Sequence, residues 1–294
     1  MSGPRVLVVS KRTALERWSA DEVACLDAIG AQDRRQLEEA HAAHHRCLGI
    51  VHQQLHHCRV DERQVDVLDA QAAAEADLIV TVGGDGTVLA CHALLNDTPV
   101  ISVNSDPHRS VGHYTRIRAE TVAALVEDWL AGRAAEERCH RLRLHIVDLG
   151  SGRMRNGAGD LILNDALFTN ANPAAMTRYR LHDAQGEEVQ AASGVWISTA
   201  TGASGAIASA GAAPPPPGPV LLYLVREPFF GHRRFTRTNG CQSPPQQLQL
   251  TPTIPGICCY LDGAHLQRPI PPGCAARFVA ADQPLRLLTV RDQG

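Results

Sequence analysis

From Asp77 the chain reads DLIVTV, apolar almost throughout, and passes without a break into Gly83-Gly84-Asp85-Gly86-Thr87. A run of that kind is a strand buried on both faces of a parallel sheet. Three glycines in four positions at its end leave main-chain N–H groups unobstructed and permit φ > 0 where the chain reverses. A helix resuming over Thr87–Leu95 adds free N–H groups and the positive end of its dipole. The junction is therefore a cradle for phosphate or pyrophosphate. It is neither a Walker A loop, because no Gly-Lys-Ser/Thr follows, nor a GxGxxG loop. Its one carboxylate, Asp85, would repel a phosphate if left bare. Either it caps the helix, or it holds a metal, or it takes a proton from an attacking hydroxyl.

The surrounding pattern fits an α/β domain. Arg5–Ser10 and Pro99–Val103 read as short buried strands, and Val65–Leu68 as a possible further one. Gln32 to about Val60 reads as helix, with Leu37, Ala40, Ala43, Leu48, Val51 and Leu55 at helical spacing. Strands alternating with helices predict a doubly wound, Rossmann-like N-terminal domain, assigned to residues 1–118. Beyond it the character changes. One helix near Thr121–Ala131 leads into Arg141–Asp148, which alternates as a half-exposed antiparallel strand does. Leu161–Phe168, Met176–His182 and Gly194–Thr199 follow as strands, with a hairpin turn at Gln185-Gly186. Residues 119–294 are expected to form a β-rich C-terminal domain, whose last residues are free to return to the first. Thr201–Gly211 is small-residue rich and suits a short, tightly packed helix. Pro214–Pro217 reads as a stiff connector.

Composition narrows the function classes. Lys+Arg is 28 against Asp+Glu 31, so no basic surplus points to nucleic acid. The apolar runs Asp77–Val82 and Val220–Val225 fall far short of the roughly 18 residues a membrane helix needs, and Val6–Val9 is too short for a signal-peptide core. The expectation is a cytoplasmic protein. Nine cysteines with no CxxC, two of them adjacent at Cys258-Cys259, read as reduced, mostly buried thiols. Histidines cluster at His41, His44, His45, His52, His56 and His57. His52 and His56 share a helix face, but no acidic or cysteine ligand stands at a matching spacing, so the pair reads as a solvated face.

The motifs in order resemble the NAD kinases. Gly83-Gly84-Asp85-Gly86-Thr87 after a hydrophobic strand is similar to a loop shared by NAD, diacylglycerol and sphingosine kinases and, more loosely, phosphofructokinases. Val103-Asn104-Ser105-Asp106-Pro107-His108-Arg109-Ser110-Val111-Gly112-His113 resembles the segment after the next strand, in the form of the mitochondrial-type branch, which has bacterial members. Leu163-Asn164-Asp165-Ala166 resembles Leu-Asn-Glu, with Asp for Glu. Ser193-Gly194 and Ser198–Gly205 resemble the Thr-x-Thr-Gly-Ser segment, Val225-Arg226-Glu227-Pro228 an Arg-Glu-Pro, and Tyr260-Leu261-Asp262-Gly263 a late Asp-Gly. The set covers about residues 5–265.

This resemblance implies ATP-dependent, Mg²⁺-dependent phosphorylation of the adenosine-ribose 2′-hydroxyl of NAD, at a crevice between the two domains. It implies that Gly83, Gly84, Gly86 and Thr87 contact the ATP phosphates, with Asn104 in support, and that Asp85 is the general base. Asn164 and Asp165 would bind the dinucleotide ribose, and Ser198, Thr199, Thr201, Gly202 and Ser204 would line the adenosine pocket. The metal ligands are unknown. Arg109 balances phosphate charge or fixes its own loop. Lys11, the sole lysine, stands just past the first strand, as a phosphate contact or a plain surface residue. A homodimer or higher oligomer is implied, with no nucleic-acid or membrane partner. Many relatives carry Gly-Ser-Thr-Ala-Tyr where this chain has Gly202-Ala203-Ser204-Gly205-Ala206. The missing aromatic, with only Ile207 nearby, bears on affinity and substrate identity. Rival readings are a kinase of the same superfamily acting on another nucleoside or a lipid, and an NAD(P)-binding protein without turnover.

Overall fold

The computed structural model describes residues 3–29, 31–231, 235–264 and 266–290. They form two compact units, one running to Arg138 and rejoined from Leu285, the other spanning Cys139–Pro284.

In the first unit, β1 (Arg5–Ser10), β2 (Arg59–Gln64), β3 (Leu78–Gly83), β4 (Val100–Asn104), β5 (Ala135–Cys139) and the late strand Leu285–Thr289 make one six-stranded sheet. The order is β2-β1-β3-β4, then Leu285–Thr289, then β5. The pairs β1–β2, β1–β3, β3–β4 and β4 with the late strand are all parallel. Every residue of β3 is buried, as its unbroken apolar run predicts. Val6, Val8, Leu78, Val80, Val82, Ile101 and Val103 share one core with Val51 of the long helix Ala31–Gln54, with Leu55 just past its end, and with Val122 and Leu125 of the helix Val122–Leu130. Each such buried aliphatic side chain contributes about 1.5–3 kcal/mol.

Strand order reverses between β1 and β3. In open α/β sheets that is where ligands bind, beyond the carboxyl ends of the strands. The register sets Ser10 opposite Val82. Lys11 and the Gly83–Thr87 loop therefore leave neighbouring strands at that switch point.

Two expectations fail here. The long helix stops at Gln54, short of Val60, and Val65–Leu68 is not a strand: Val65–Val67 is a three-ten turn. The missing strand is β2, whose sequence RVDERQ is exposed along almost its whole length. It is the edge of the sheet, where charged residues discourage pairing with other chains, so it lacks the apolar alternation that marks inner strands.

The second unit holds two antiparallel six-stranded sheets. One runs Gly186–Ala192, Thr177–Asp183, Leu248–Pro252, Cys274–Ala280, Leu142–Asp148 and Asp160–Ile162 in spatial order. The other runs Asn239–Gln242, Leu221–Arg226, Gly194–Thr199, Asp165–Asn170, Ile257–Leu261 and Leu266–Pro269. Thr177–Asp183 alternates strictly between buried and exposed residues, as does a strand with one face on a core. Phe168, Ile197 and Cys259 from one sheet meet Leu144, Tyr179, Leu250 and Phe278 from the other in a common core. Pro214–Pro217 is an irregular connector. The cysteines are all free thiols; Cys258 and Cys259 are both buried, whereas Cys25 and Cys241 are exposed. Among the described residues no helix is long and apolar enough to cross a membrane.

Candidate active site

The glycine loop is shaped by close packing. A Cβ on Gly83 would overlap the Thr87 hydroxyl, which is buried. A Cβ on Gly84 would stand 3.3 Å from Ser110 Oγ, whereas one on Gly86 would meet nothing within 4 Å. Gly83 and Gly84 are thus fixed by neighbours, and Gly86 keeps an open approach to the backbone. Gly83 O accepts from Ser105 N at 2.9 Å, which ties the loop to the end of β4.

Asp85 opens the short helix Asp85–Cys91. Its carboxylate accepts four hydrogen bonds from one segment. His113 N donates to Oδ2 at 2.7 Å; Tyr114 N, Thr115 N and Thr115 Oγ1 donate to Oδ1 at 2.8, 3.1 and 3.1 Å. These donors answer the electrostatic objection to a carboxylate beside a phosphate cradle: its charge is spread over three backbone N–H groups and a hydroxyl. Oδ1 is thereby engaged by three donors and Oδ2 by one.

Asn104 organises the loop after β4. Its Oδ1 accepts from Asp106 N at 3.0 Å, and its Nδ2 donates to Ser110 O at 3.4 Å. Gly112, at φ +71°, lies so close that a Cβ would stand 2.6 Å from Asn104 Nδ2. Arg109 forms ion pairs with Asp106 (2.9 Å) and Glu39 (2.6 Å). Its guanidinium thus fixes the loop. Lys11 is half-buried, and desolvation lowers its pKa against the raising influence of Asp106.

In the second unit a corner forms around Asn164 and Asp165. The backbone N–H groups of Leu163, Asn164 and Asp165 all donate to the buried Asp262 carboxylate, at 3.0, 2.6 and 3.2 Å. Asp262 itself sits at φ +50° and returns a bond from its N–H to Asp165 O at 2.8 Å. Asn164 O accepts from Ser198 Oγ at 3.0 Å and Thr199 N at 3.1 Å, and Thr199 Oγ1 donates to Leu163 O at 2.8 Å. Gly202 N donates to Thr199 Oγ1 at 2.9 Å, and a Cβ on Gly202 would run into Asn164 O. Asn164 Nδ2 donates to Asp165 Oδ2 at 3.0 Å. Burial, then the nearby Asp262 charge, push the Asp165 pKa up to about 6, against that amide bond.

The structure thus brings Asn164, Asp165, Ser198, Thr199 and Gly202 together. Ser198 and Thr199 are buried and spend their hydroxyls on backbone carbonyls, so they hold the corner's shape. Thr201 is half-buried and Ser204 exposed. Ile207, adjacent to the place of the missing aromatic, is fully buried and cannot substitute for a ring at a surface. Asp262 was legible only as a late Asp-Gly; that it ties down the Asn164-Asp165 backbone emerges from the fold.

A glycine loop at the switch point of a parallel sheet, joined in one chain to two packed antiparallel sheets, is an architecture shared with NAD kinase structures. Across 99% of this chain and 85% of the other, the yeast NADH kinase structure complexed with NADH superposes with a TM-score of 0.71 at 14% identity. An NAD kinase from Archaeoglobus fulgidus in complex with ATP gives 0.65 at 18% identity, over 98% and 94% of the two chains. Residues 14–134 match the family model of the ATP-NAD kinase N-terminal domain. The probable NADH kinase of Oryza sativa is 27% identical over 72% of this chain and 70% of its own length. An NAD kinase of Methanoregula boonei is 33% identical over 46% and 47%. The chain thus shares the fold of these structures, and its residues 14–134 are similar to the N-terminal domain of the ATP-NAD kinases.

Proposed function

We propose that this chain transfers the γ-phosphoryl group of ATP to the 2′-hydroxyl of the adenosine ribose of NAD, giving NADP. The observation that carries the reading is the Gly83–Thr87 loop at the β1/β3 switch point, inside the segment that matches the ATP-NAD kinase N-terminal domain. Backbone N–H groups at Gly84 and Gly86 bind the donor phosphates, Thr87 N is spent on Gly84 O at 2.9 Å and holds the loop's shape, and Lys11 adds a positive charge at the neighbouring strand end. The Asn164–Asp165 corner, with Thr201 and Ser204 beside it in sequence, binds the acceptor's ribose and adenine. Asp85 exchanges one of its loop donors for the ribose hydroxyl and takes its proton as the oxygen attacks phosphorus. A divalent cation accompanying ATP would offset the charge of the phosphates. The reading includes a cytoplasmic homo-oligomer.

NADH is the second acceptor to weigh, because the rice relative, an Arabidopsis thaliana relative and the yeast structure are all named NADH kinases. Paired kcat/KM values for NAD and NADH, at saturating ATP and Mg²⁺, decide between them. A ratio of ten or more for NAD supports the proposal. A preference for NADH of that size replaces the acceptor. No product from either overturns the assignment as a kinase of this dinucleotide.

A further inference from the structure

The long helix Ala31–Gln54 carries His41 and His45 one turn apart, their ring centroids 4.4 Å from each other. The short helix Ala14–Arg17, just after β1, sets Glu16 against them. Each of the three offers one donor atom, and these atoms lie within 4.8 Å of one another; among the described residues no other group of three metal-ligating side chains meets that condition. The cluster is pre-arranged from one side. Thr13 N and Thr13 Oγ1 both donate to Glu16 Oε2, at 2.6 and 2.9 Å, which leaves Oε1 for His45 Nε2 at 2.9 Å. The Thr13 hydroxyl also bonds His41 Nδ1 at 2.8 Å and so fixes that ring. A hydroxyl that orients both a carboxylate and an imidazole is the kind of outer support that metal-binding side chains need. His41 is half-buried, and Glu16 and His45 border solvent, so an ion has a way in.

From this geometry we propose that Glu16, His41 and His45 bind one divalent transition-metal ion of the Zn²⁺ class. Two imidazoles and a carboxylate suit Zn²⁺ and select against Mg²⁺, which prefers oxygen donors alone. The ion takes the place of the proton shared by His45 Nε2 and Glu16 Oε1 and pins the helix Ala14–Arg17 to the long helix. It thereby steadies the turn after β1 that carries Lys11. The ion is a staple, separate from the cation that accompanies ATP.

The test is a Zn²⁺ titration of untagged, chelator-stripped, fully reduced protein, read by calorimetry and by thermal unfolding. Wild type is compared with His41→Gln/His45→Gln, with Glu16→Gln, and with His52→Gln/His56→Gln as the control pair, at the end of the same helix and in the turn that follows it. The expected result is a tightest class of a single Zn²⁺ per chain, which raises the unfolding temperature. That class is lost in the double-histidine variant, weakened about tenfold or more by Glu16→Gln, and kept in the control. Should the double variant not fold, Glu16→Gln against the control carries the same decision. Absence of a tight class in wild type overturns the proposal. So does a tight class that survives both cluster variants, which would place the ion on the thiols or other histidines.

Discussion

Replacing Asp85 with Asn separates a base from an anchor. The substitution keeps the size of the side chain but leaves one acceptor oxygen. If that oxygen takes the place of Oδ1, it retains Tyr114 N, Thr115 N and Thr115 Oγ1, and the new amide faces His113 N, now 2.7 Å from Oδ2. One charge-assisted bond is lost, worth about 1.5–3 kcal/mol, and the others weaken. For a chain of this size that lowers the unfolding temperature by roughly 2–5 °C. Loss of a positioned base lowers kcat by about 10²–10⁴ on top of that, with the dinucleotide KM little changed. The companion is Thr115→Val, which deletes a single bond to the same carboxylate and spares its charge. It costs about 1 kcal/mol and lowers kcat by less than about tenfold. The assay is NADP formation by enzymatic cycling alongside thermal unfolding. An Asp85→Asn enzyme that retains more than about a tenth of wild-type turnover refutes the base. If Thr115→Val loses turnover as severely, Asp85 acts only by holding the loop.

The remaining predictions concern the acceptor corner, the open glycine and the lysine. Asp165 has a folded pKa of about 6 against ~3.9 unfolded, so the native state binds the extra proton between those values. Its contribution to stability therefore falls as pH rises from about 4 to 6, by about 3 kcal/mol in all; Asp165→Asn should stabilise at pH 7.5 and not at pH 4, and equal effects at both would remove the burial argument. Gly202→Ala should cost at least about 1–3 kcal/mol and weaken the dinucleotide far more than ATP, because its Cβ meets Asn164 O; unaltered dinucleotide affinity contradicts the corner's role. Gly86→Ala should leave stability equal or raised by about 0.4–1 kcal/mol, since nothing lies within 4 Å, yet raise the ATP KM; an unchanged KM shows that phosphate does not pass there. Lys11→Ala should raise the ATP KM alone, with Lys11→Arg recovering part of the loss; unaltered ATP kinetics return Lys11 to the surface.

The parts of this molecule visible in its sequence were those governed by local pattern. β3 announces itself because a strand buried on both faces must be apolar throughout, and Thr177–Asp183 because a half-buried strand must alternate. β2 stayed hidden because an edge strand answers to solvent. The return of Leu285–Thr289 to sit beside β4 was open in the sequence, since only tertiary pairing decides it. The site divides the same way. The glycine loop is contiguous and could be read directly. The tie from Asp262 to the backbone of 163–165 spans nearly a hundred residues and has no local signature. The tie between His45 and Glu16 likewise has no local signature, because Glu16 arrives from a different helix. Ser198 and Thr199 resemble ligand contacts by motif, yet burial turns both hydroxyls to the backbone.

The most direct test of the central claim is identification of the product. Purified enzyme, ATP, Mg²⁺ and NAD are incubated together, and the dinucleotide is analysed by mass spectrometry and ³¹P NMR. The expected product carries a single added phosphate, as a monoester on the 2′-oxygen of the adenosine ribose, formed with stoichiometric ADP and slowed by about a hundredfold or more in Asp85→Asn. Phosphate added at any other oxygen, or ADP released while NAD here and NADH in a parallel reaction both remain unmodified, would contradict it.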